Sequence, residues 1–406
     1  MTPEVEFPDG SSVETLEGAA PGAPGEARVL LSVEGGGALP PTEWLAVDAD
    51  RDFTRTFTLA GLRPATRYGL TVETRGPDGT PGQTMEGRFR TAPAPDQPAR
   101  VLFTVTTCHR YTRMDAPGGG YKIHNAMRAM DPDFFVHTGD ILYYDELGKS
   151  TELARWHWQR MFSLPTNIAF HRQVGGYFMK DDHDAWQNDC WPGMQNPFMG
   201  AFTFEQGLGI FLEQVPMGDK THRRARWGKD LEIWMVEGRD HRSPNDMPDG
   251  PEKSIWGAEQ KAWFKETVAA SDATFRILLS PTPVVGPDRE NKNDNHSNKG
   301  FQHEGRELRQ FMASQKNMFT VNGDRHWQYT SEDPETGLRE FSCGPASNEH
   351  ASGWPPGVTL PMHKYLNVTG GYLSFEVDRP EGRPTLTARF HDVDGNVLYT
   401  EAFRAE

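Results

Sequence analysis

Hydrophobic and polar positions alternate along the first hundred residues in short stretches separated by turn-forming Gly, Pro and Asp. The stretches are ARVLLSVEG, FTRTFTLAG, RYGLTVETRG and GRFRTAP. A period of two is typical of strands with one buried face, and several short strands at regular spacing favour a small β-sandwich. The Pro-rich TAPAPDQPAR that follows has the composition of a linker. We therefore predict an all-β domain over residues 1–98.

The pattern changes after this linker. RVLFTVTT and DFFVHTGD are continuous apolar runs, typical of strands buried on both faces, and YKIHNAMRAM between them has helical spacing. Further strand-like runs (GGYFMK, LEIWMVEG, FRILLS and NMFTVN) are interspersed with helical GAEQKAWFKETVAA and ELRQFMASQ, and the last part is all-β. Residues 99–406 are therefore predicted to form one α/β domain, a mixed α/β sandwich with two sheets.

The segment LAGLRPATRYGLTVETRGPDG in the first domain resembles the late strands of a fibronectin type III module. Leu62, Pro64, Thr66 and Tyr68 match the Leu/Pro/Thr/Tyr pattern of that module. The resemblance implies that the predicted amino-terminal sandwich is fibronectin-like.

Composition narrows the classes of function. The chain has 406 residues and a formal net charge of −15, which argues against a nucleic-acid binder or a protein that rests on anionic lipid. Three cysteines are too few for a disulfide scaffold, although one bridge is possible. No run reaches membrane-spanning length and the first residues lack a signal-peptide pattern, so we expect a cytoplasmic protein or a mature exported form.

Polar residues follow several of the predicted buried strands at their carboxyl ends. These residues are Cys108-His109-Arg110, Gly139-Asp140 with Tyr143, Asp181-Asp182-His183-Asp184, Arg239 with His241 and Arg242, and Gly323-Asp324-Arg325-His326. In open α/β sheets, ligands bind outside the carboxyl ends of the strands. The recurrence of such residues indicates one shared site.

The residue types in this set indicate metal chemistry. Converging carboxylates repel one another unless cations neutralise them. Asp, Asn, Tyr, Cys and His together form a mixed oxygen, nitrogen and sulfur ligand set, which suits two metals of different character better than one structural zinc. Two-metal sites commonly hydrolyse phosphate esters by clamping the phosphate and presenting a metal-held hydroxide. The sequence has no G-x-S-x-G elbow and no P-loop, which weakens serine-hydrolase and ATPase interpretations.

The order of these motifs resembles the PhoD-like alkaline phosphatases, members of the calcineurin-like metallophosphoesterases. The motifs are Cys, Gly-Asp-x-x-Tyr, Asp-Asp-His-(Asp/Glu) and Gly-Asp-x-His. The resemblance implies an αββα sandwich with two mixed sheets and hydrolysis of phosphate monoesters, diesters or both. It also implies Fe(III) held partly by a cysteine, with Ca(II) beside it, or Zn, Mn or Mg at that second site.

Carried over by motif, the resemblance implies roles for individual residues. Cys108, Asp140 and Tyr143 match iron ligands, and Asp140 would bridge to a second metal. Asp324 and His326 match the closing metal-binding pair.

The Asp-Asp-His segment supplies the remaining candidates. Asp182 stands where the superfamily has its second-metal Asn, and His183 matches the histidine that faces the phosphate. We expect the acids Asp182 and Asp184 to favour a protonated His183, which would donate a proton to the leaving oxygen. The alternative is that Asp181 or Asp182 caps the next helix.

Four departures from the family pattern leave the second metal and the substrate range open. Lys180 replaces an aromatic before Asp-Asp-His, Arg325 replaces a valine, and the paired Asn reads Asn188-Asp189. The chain also ends in strands, with no helix to cover the site. Asn188 remains a candidate metal ligand.

Other polar residues allow two interpretations each. Arg239, Arg110 and Arg242 could bind phosphate oxygens or form surface salt bridges. The stretch 289–306 could line the substrate entrance or form a flexible solvated loop. Cys190 and Cys343 are interpreted as structural, and Trp156, Trp158 and Trp186 as core or pocket walls.

The predicted function is therefore metal-dependent hydrolysis of a small-molecule phosphate ester, with nucleic acid only as a possible substrate and His183, Asp182 and Arg239 as the catalytic candidates. Two alternatives remain: a binding protein whose metal site is structural, and a hydrolase of related phosphotriesters or sulfates.

Overall fold

The structure, a computed structural model, describes residues 12–218 and 220–405. Its strands are β1 (Glu26–Val33), β2 (Leu45–Ala46), β3 (Arg67–Arg75), β4 (Pro81–Arg90), β5 (Val101–Thr106), β6 (Phe134–His137), β7 (Gly176–Phe178), β8 (Arg223–Trp227), β9 (Leu231–Met235), β10 (Phe275–Ser280), β11 (Met318–Asn322), β12 (Gln328–Glu332), β13 (Arg339–Cys343), β14 (His363–Asn367), β15 (Tyr372–Asp378), β16 (Thr385–His391) and β17 (Val397–Arg404). Its helices are α1 (Lys122–Ala129), α2 (Tyr144–Leu147), α3 (Thr151–Phe162), α4 (Pro165–His171), α5 (Asp182–Ala185), α6 (Phe204–Gln214), α7 (Gly257–Ala269) and α8 (Gln302–Ala313), with short 3₁₀ turns at Val13–Thr15, Ala49–Arg51, Tyr111–Arg113, Pro197–Met199, Asn348–His350 and Pro380–Gly382.

The amino-terminal strands form one antiparallel sheet in the order β2-β1-β3-β4. Val29 pairs with Val72, which pairs with Met85, so apolar side chains line up on one face of the sheet. The all-β character predicted here is confirmed, whereas the fibronectin resemblance and the boundary at residue 98 remain predictions.

The segment 53–61 was expected to be a strand, but this is wrong. Asp52 and Phe53 both have a left-handed backbone, with φ of 52° and 55°. The Thr54 hydroxyl then donates to the carbonyl of Glu213 in α6. The backbone therefore turns away from the sheet at this point and is held against the larger domain.

Two mixed sheets form the rest of the molecule. One has six strands in the order β17-β16-β15-β5-β6-β7, of which β5, β6 and β7 are parallel. The other has seven strands in the order β14-β12-β13-β11-β10-β9-β8, of which β9, β10, β11 and β13 are parallel.

The two sheets pack face to face, and helices cover their outer faces. The central core joins Phe103 and Val136 of the first sheet to Ile277, Val321 and Phe341 of the second. Two further clusters, each between one sheet and its helices, comprise Phe135 with Ile123, Met127, Trp158, Phe170 and Phe211 on one side, and Trp234 and Leu278 with Phe264, Leu308 and Met312 on the other. This is the predicted αββα arrangement. All six residues of β5 are buried because both of its faces are covered.

Within residues 12–218 and 220–405, no helix has both the length and the apolar character needed to cross a membrane.

Candidate metal centre

The strand-end residues of both sheets meet at one place. Cys108 follows β5, Asp140 follows β6, Asp182 opens the helix after β7, and Asp324 and His326 follow β11. Three groups of possible ligands overlap at Asp140, each with its ligand atoms within 4.8 Å of one another: Cys108, Asp140 and His326; Asp140, Asp182 and His183; Asp140, Asp181 and Asp324. The structure therefore gathers every His, Cys and Asp that the sequence suggested as a metal ligand around one carboxylate.

The backbone at these strand ends is unusual. Cys108, Asp140 and Asp324 have φ of 55°, 57° and 62°, in the left-handed region that costs most residues free energy. Gly139 has φ of 110°, and a Cβ there would lie 2.6 Å from the Cβ of Asp181. Such conformations cluster at functional sites, where the surrounding structure holds them in place.

The centre holds buried groups whose hydrogen-bonding capacity is not used. The Cys108 thiol donates to Oδ2 of Asp140 at 3.3 Å, but Oδ1 of Asp140 and the hydroxyl of Tyr143 have no partner among the described residues. Burial, together with nearby acidic groups, raises the pKa of Cys108, Asp140 and Tyr143 well above their usual values. A bound cation would favour the ionised form of all three. The residues present therefore fit a metal.

Aromatic rings form one wall of the centre. The rings of Tyr143 and His183 lie 4.2 Å apart, and those of His326 and His350 lie 4.0 Å apart. Burial and His350 lower the pKa of His326, which leaves its imidazole neutral and able to bind a metal. Sequence reasoning missed His350, whose Nδ1 lies 3.2 Å from the carbonyl oxygen of Cys108. It lies seven residues after the end of β13, in a 3₁₀ turn, which is too far for the strand-end rule to find it.

The two acids that follow β7, Asp181 and Asp182, make different contacts. Asp181 caps α5 in a capping box with Asp184, while Asp182 faces Asp140 and His183. Burial opposes ionisation of Asp182, but Arg239 and His183 outweigh it and lower its pKa. Asp181 therefore caps the helix and is also a possible ligand with Asp140 and Asp324, whereas Asp182 is a possible ligand only.

Arg239 is not part of a surface salt bridge, because its side chain is fully buried. Its Nε and Nη2 each lie 2.6 Å from Oδ1 of Asp181, and Nη2 is 3.8 Å from Asp182. The guanidinium therefore fixes the acidic segment. Its Nε hydrogen bond is directed to Asp181, while Nη2 has no hydrogen-bond partner among the described residues, so Arg239 as a phosphate-binding catalytic residue remains a prediction.

His183 has a different acidic partner from the one expected. Its Nδ1 lies 2.9 Å from Oδ1 of Asp145 in α2. Burial opposes protonation of His183, but Asp145, Asp182 and Asp140 outweigh it and raise its pKa well above the usual value. Asp184 instead accepts the backbone N–H groups of Ile141 and Asp181, and burial raises its own pKa to about 8. The expected contribution of Asp184 is therefore wrong.

Asn188 itself is exposed, and its backbone N–H donates to Asp145. Its neighbour Asp189 is the closer contact, because the Asp189 N–H donates to Oδ2 of Asp182 at 2.5 Å. Lys292 in turn donates to both carboxylate oxygens of Asp189, at 2.8 and 2.9 Å. Asn188 as a metal ligand remains a prediction.

The stretch 289–306 is partly buried and ends in α8, so it is not the fully solvated loop that was one of its two interpretations, and its place at a substrate entrance remains a prediction. Asp294, Asn295 and His296 are fully buried. Arg325, the departure from the valine pattern, lies 3.0 Å from Asp288 and 3.5 Å from Asp294, and it also pairs with Asp324. These ion pairs hold the stretch against the centre.

The remaining arginines and cysteines contact other protein groups, and Arg110 and Arg242 as phosphate-binding residues remain predictions. Arg110 is half-exposed and pairs with Glu146 at 2.5 Å, whereas Arg242 is buried and donates to Asn245. All three cysteines are free and buried, which excludes the intramolecular disulfide that the sequence had allowed. Trp156, Trp158 and Trp186 are buried as expected.

Comparison with known proteins gives one family. A family model described as PhoD-like phosphatase matches residues 103–356. The chain is similar in structure to PhoD, with a TM-score of 0.76 and 14% identity over 96% of this chain and 85% of that chain. It is also similar to a purple acid phosphatase from seeds of yellow lupin (Lupinus luteus), with a TM-score of 0.67 and 15% identity over 94% of this chain and 70% of that chain. No curated protein matches the sequence.

These two structures share the fold of the chain, and at such low sequence identity the similarity shows the fold alone. The family model is stronger evidence because it spans well over half of the 406 residues and includes every predicted metal ligand. Family membership and the ligand cluster together support a metal-dependent phosphoester hydrolase that acts on small-molecule phosphate esters. The chain belongs to the PhoD-like phosphatase family.

Proposed function

We propose that the protein hydrolyses phosphate monoesters, diesters or both at the centre around Asp140. The observation that carries this proposal is the overlap of three possible ligand groups at one buried carboxylate. A single acid shared between neighbouring ligand groups suits a bridge between two cations, the arrangement used to displace a leaving group from phosphorus in line.

The donors form two sets, one of mixed sulfur, oxygen and nitrogen groups and one of carboxylates only. Cys108 and Tyr143 offer thiolate and phenolate, which with His326 and Asp140 suit Fe(III). Asp182 and Asp324 offer hard carboxylate oxygens, which with Asp140 suit Ca(II) or another divalent cation. When bound, the metals would supply positive charge for the phosphate and an activated water as the nucleophile.

His183 is proposed to donate a proton to the leaving oxygen. The carboxylate of Asp145 at 2.9 Å orients the ring through Nδ1 and favours the protonated form. The other ring nitrogen is then available to the substrate. Asp145 and Arg239 are positioning residues, the first for His183 and the second for Asp181 and Asp182.

A test combines metal analysis with an ester panel. The purified protein is assayed on nitrophenyl phosphate, bis-nitrophenyl phosphate, a nitrophenyl phosphotriester and nitrophenyl sulfate, with and without a chelator. We expect chelator-sensitive turnover of a phosphate monoester or diester. Turnover confined to the triester or the sulfate would contradict the substrate class, and retained metal without turnover of any ester would favour a binding protein.

The metal assignment has a spectroscopic test. Fe(III) held by thiolate and phenolate should give a visible charge-transfer band, and Cys108→Ala or Tyr143→Phe should shift or abolish it. Cys190→Ala is the matched control, because that buried cysteine lies outside the three ligand groups. Stoichiometric zinc without iron in fully active protein would contradict the iron assignment.

A further inference from the structure

A cavity of about 410 Å³ lies between the amino-terminal sheet and the helices of the larger domain. The sheet contributes Leu70, Val72, Met85 and Phe89, and the helical side contributes Phe162 and Ile168. Val72 pairs with Met85, Leu70 with Gly87 and Tyr68 with Phe89, so the cavity lies against the apolar face of this sheet. The wall is therefore a continuous hydrophobic surface that the packing of the two regions leaves uncovered.

Hydrogen bonds fix the position of the cavity walls. The N–H of Arg88 in β4 donates to the carbonyl oxygen of Arg172 just after α4, at 2.7 Å. Gly87 permits this approach, because a Cβ there would lie 2.6 Å from the same oxygen. Burial lowers the pKa of His171, which also lines the cavity, to about 4, so its imidazole is neutral at physiological pH. The space is thus an apolar slot between two anchored elements.

One cation at the edge of the cavity lacks an acidic partner. Arg172 lines the cavity and is exposed, and within residues 12–218 and 220–405 it forms no ion pair; its Nε donates only to the carbonyl oxygen of Glu86. Nearby Arg88 and Arg67 both pair with Asp131. In a chain of net charge −15, such an unpaired arginine beside an apolar slot is complementary to an amphiphile with an anionic head.

We propose that this cavity binds a single-chain carboxylate amphiphile, with its hydrocarbon tail between β3, β4 and α4 and its carboxylate on Arg172. An apolar cavity of roughly 150 Å³ already accepts benzene, so 410 Å³ has room for a tail of about ten carbons. The tail gains by leaving water for an apolar wall, and the charge-assisted hydrogen bonds to Arg172 select the head group. The site uses no residue of the metal centre.

The test is calorimetric titration of the metal-loaded protein with decanoate, decanol, decyltrimethylammonium and acetate. We expect saturable binding of decanoate with a Kd on the order of 0.1–1 mM, weaker binding of decanol, and none of the cation or of acetate at this site. Arg172→Gln should weaken decanoate about tenfold and leave decanol unchanged. Binding of decanoate no tighter than that of acetate would overturn the proposal, because it would indicate capture of the carboxylate elsewhere.

Cavity-filling variants locate the tail. Leu70→Trp and Met85→Trp should each weaken decanoate at least tenfold, and Met85 is half-exposed, so its replacement is tolerated even if the first variant does not fold. Thr71→Trp is the matched control, because its side chain points to the opposite face of the same strand. Decanoate binding that survives Met85→Trp, or that Thr71→Trp weakens equally, would overturn the assignment of the cavity.

Discussion

Two buried carboxylates in different regions of the molecule have opposite surroundings. Glu340 in β13 accepts the backbone N–H groups of Val284, Val285 and Gly286 at 2.6–2.9 Å and the hydroxyl of Tyr329 at 2.9 Å. Asp140 receives one thiol at 3.3 Å, and its Oδ1 has no hydrogen-bond partner among the described residues.

The comparison distinguishes a carboxylate whose hydrogen bonds stabilise the fold from a carboxylate whose oxygen is free to bind a ligand. Burial raises the pKa of both groups, so neither burial nor the direction of the pKa shift distinguishes them. The difference is the supply of donors, because a buried carboxylate that is satisfied by the protein has a structural role, and one left unsatisfied is available to a cation. Mutations at the two positions should therefore have different effects, on metal binding and activity at Asp140 and on stability at Glu340.

The largest effect is expected at Asp140. Asp140→Asn removes the charge shared by the proposed ligand groups, so kcat/KM should fall by about 10³-fold or more, with loss of bound metal. The fold should survive, since burial already disfavours the charged form. Activity and metal content are measured together with the melting temperature.

Asp230→Asn is the control for this prediction. Asp230 is also buried but pairs with Arg379 at 2.7 Å, so its replacement should cost stability and leave metal content unchanged. Near-normal activity of Asp140→Asn would show that the unsatisfied carboxylate is not a ligand.

Replacement of His183 tests whether this residue donates a proton to the leaving group. His183→Ala should slow alkyl phosphate esters about 10²-fold more than nitrophenyl esters, because only the basic alkoxide needs a proton. Asp145→Asn should change the same ratio in the same direction by a smaller factor. The measurement is kcat/KM for both esters with metal content checked, and equal losses on both would mean that His183 acts on the phosphate or on a metal.

Glu340 provides the opposite half of the comparison. Glu340→Gln weakens a set of charge-assisted hydrogen bonds and should lower the free energy of unfolding by about 2–4 kcal/mol. Folded protein should keep its metals and its turnover. Denaturant unfolding measures the free energy of unfolding, and metal analysis measures the bound metal. A stable variant without metal would place Glu340 in the metal centre.

A smaller and pH-dependent effect is expected at Glu304. Burial opposes its ionisation, but His296 and Ser254 outweigh this and lower its pKa to about 2. Its contribution to stability is then full above the usual pKa of 4.5 and is lost as the pH falls toward 2. Glu304→Gln should flatten this acid dependence by about 1–3 kcal/mol, measured by denaturant unfolding between pH 6 and 3. An unchanged dependence of the free energy of unfolding on pH would mean that other acids are responsible for it.

Sequence reasoning located the centre because its ligands follow a simple rule. Apolar runs end in Cys108, Asp140 and Asp182, and parallel strands bring such ends to one edge. The partner of His183 was missed because α2 folds back from Asp140 to His183, which spacing alone does not reveal. Asp145 is nonetheless one of the acids that closely follow Asp140 in GDILYYDE, so the local excess of acids was the available signal.

The errors share a physical cause. The stretch 289–306 is strongly polar, and its Asp294 is buried against Arg325 and Arg242, which come from other parts of the chain. The segment 53–61 alternates like a strand but is held by a hydroxyl bond to a helix far along the chain. The local pattern indicates which secondary structures a segment can form, while tertiary contacts decide which of them it adopts.

The left-handed backbone at Cys108, Asp140 and Asp324 limits how this centre can be re-engineered. Asparagine and glycine accept such angles at small cost, whereas valine, isoleucine and threonine, with branched Cβ atoms, do not. A randomised library at these three positions would lose its β-branched members as misfolded protein before any metal or substrate was offered. Selection for a new metal at this site is therefore also a selection for backbone shape, and softer or harder ligands must be sought among residues that tolerate the turn.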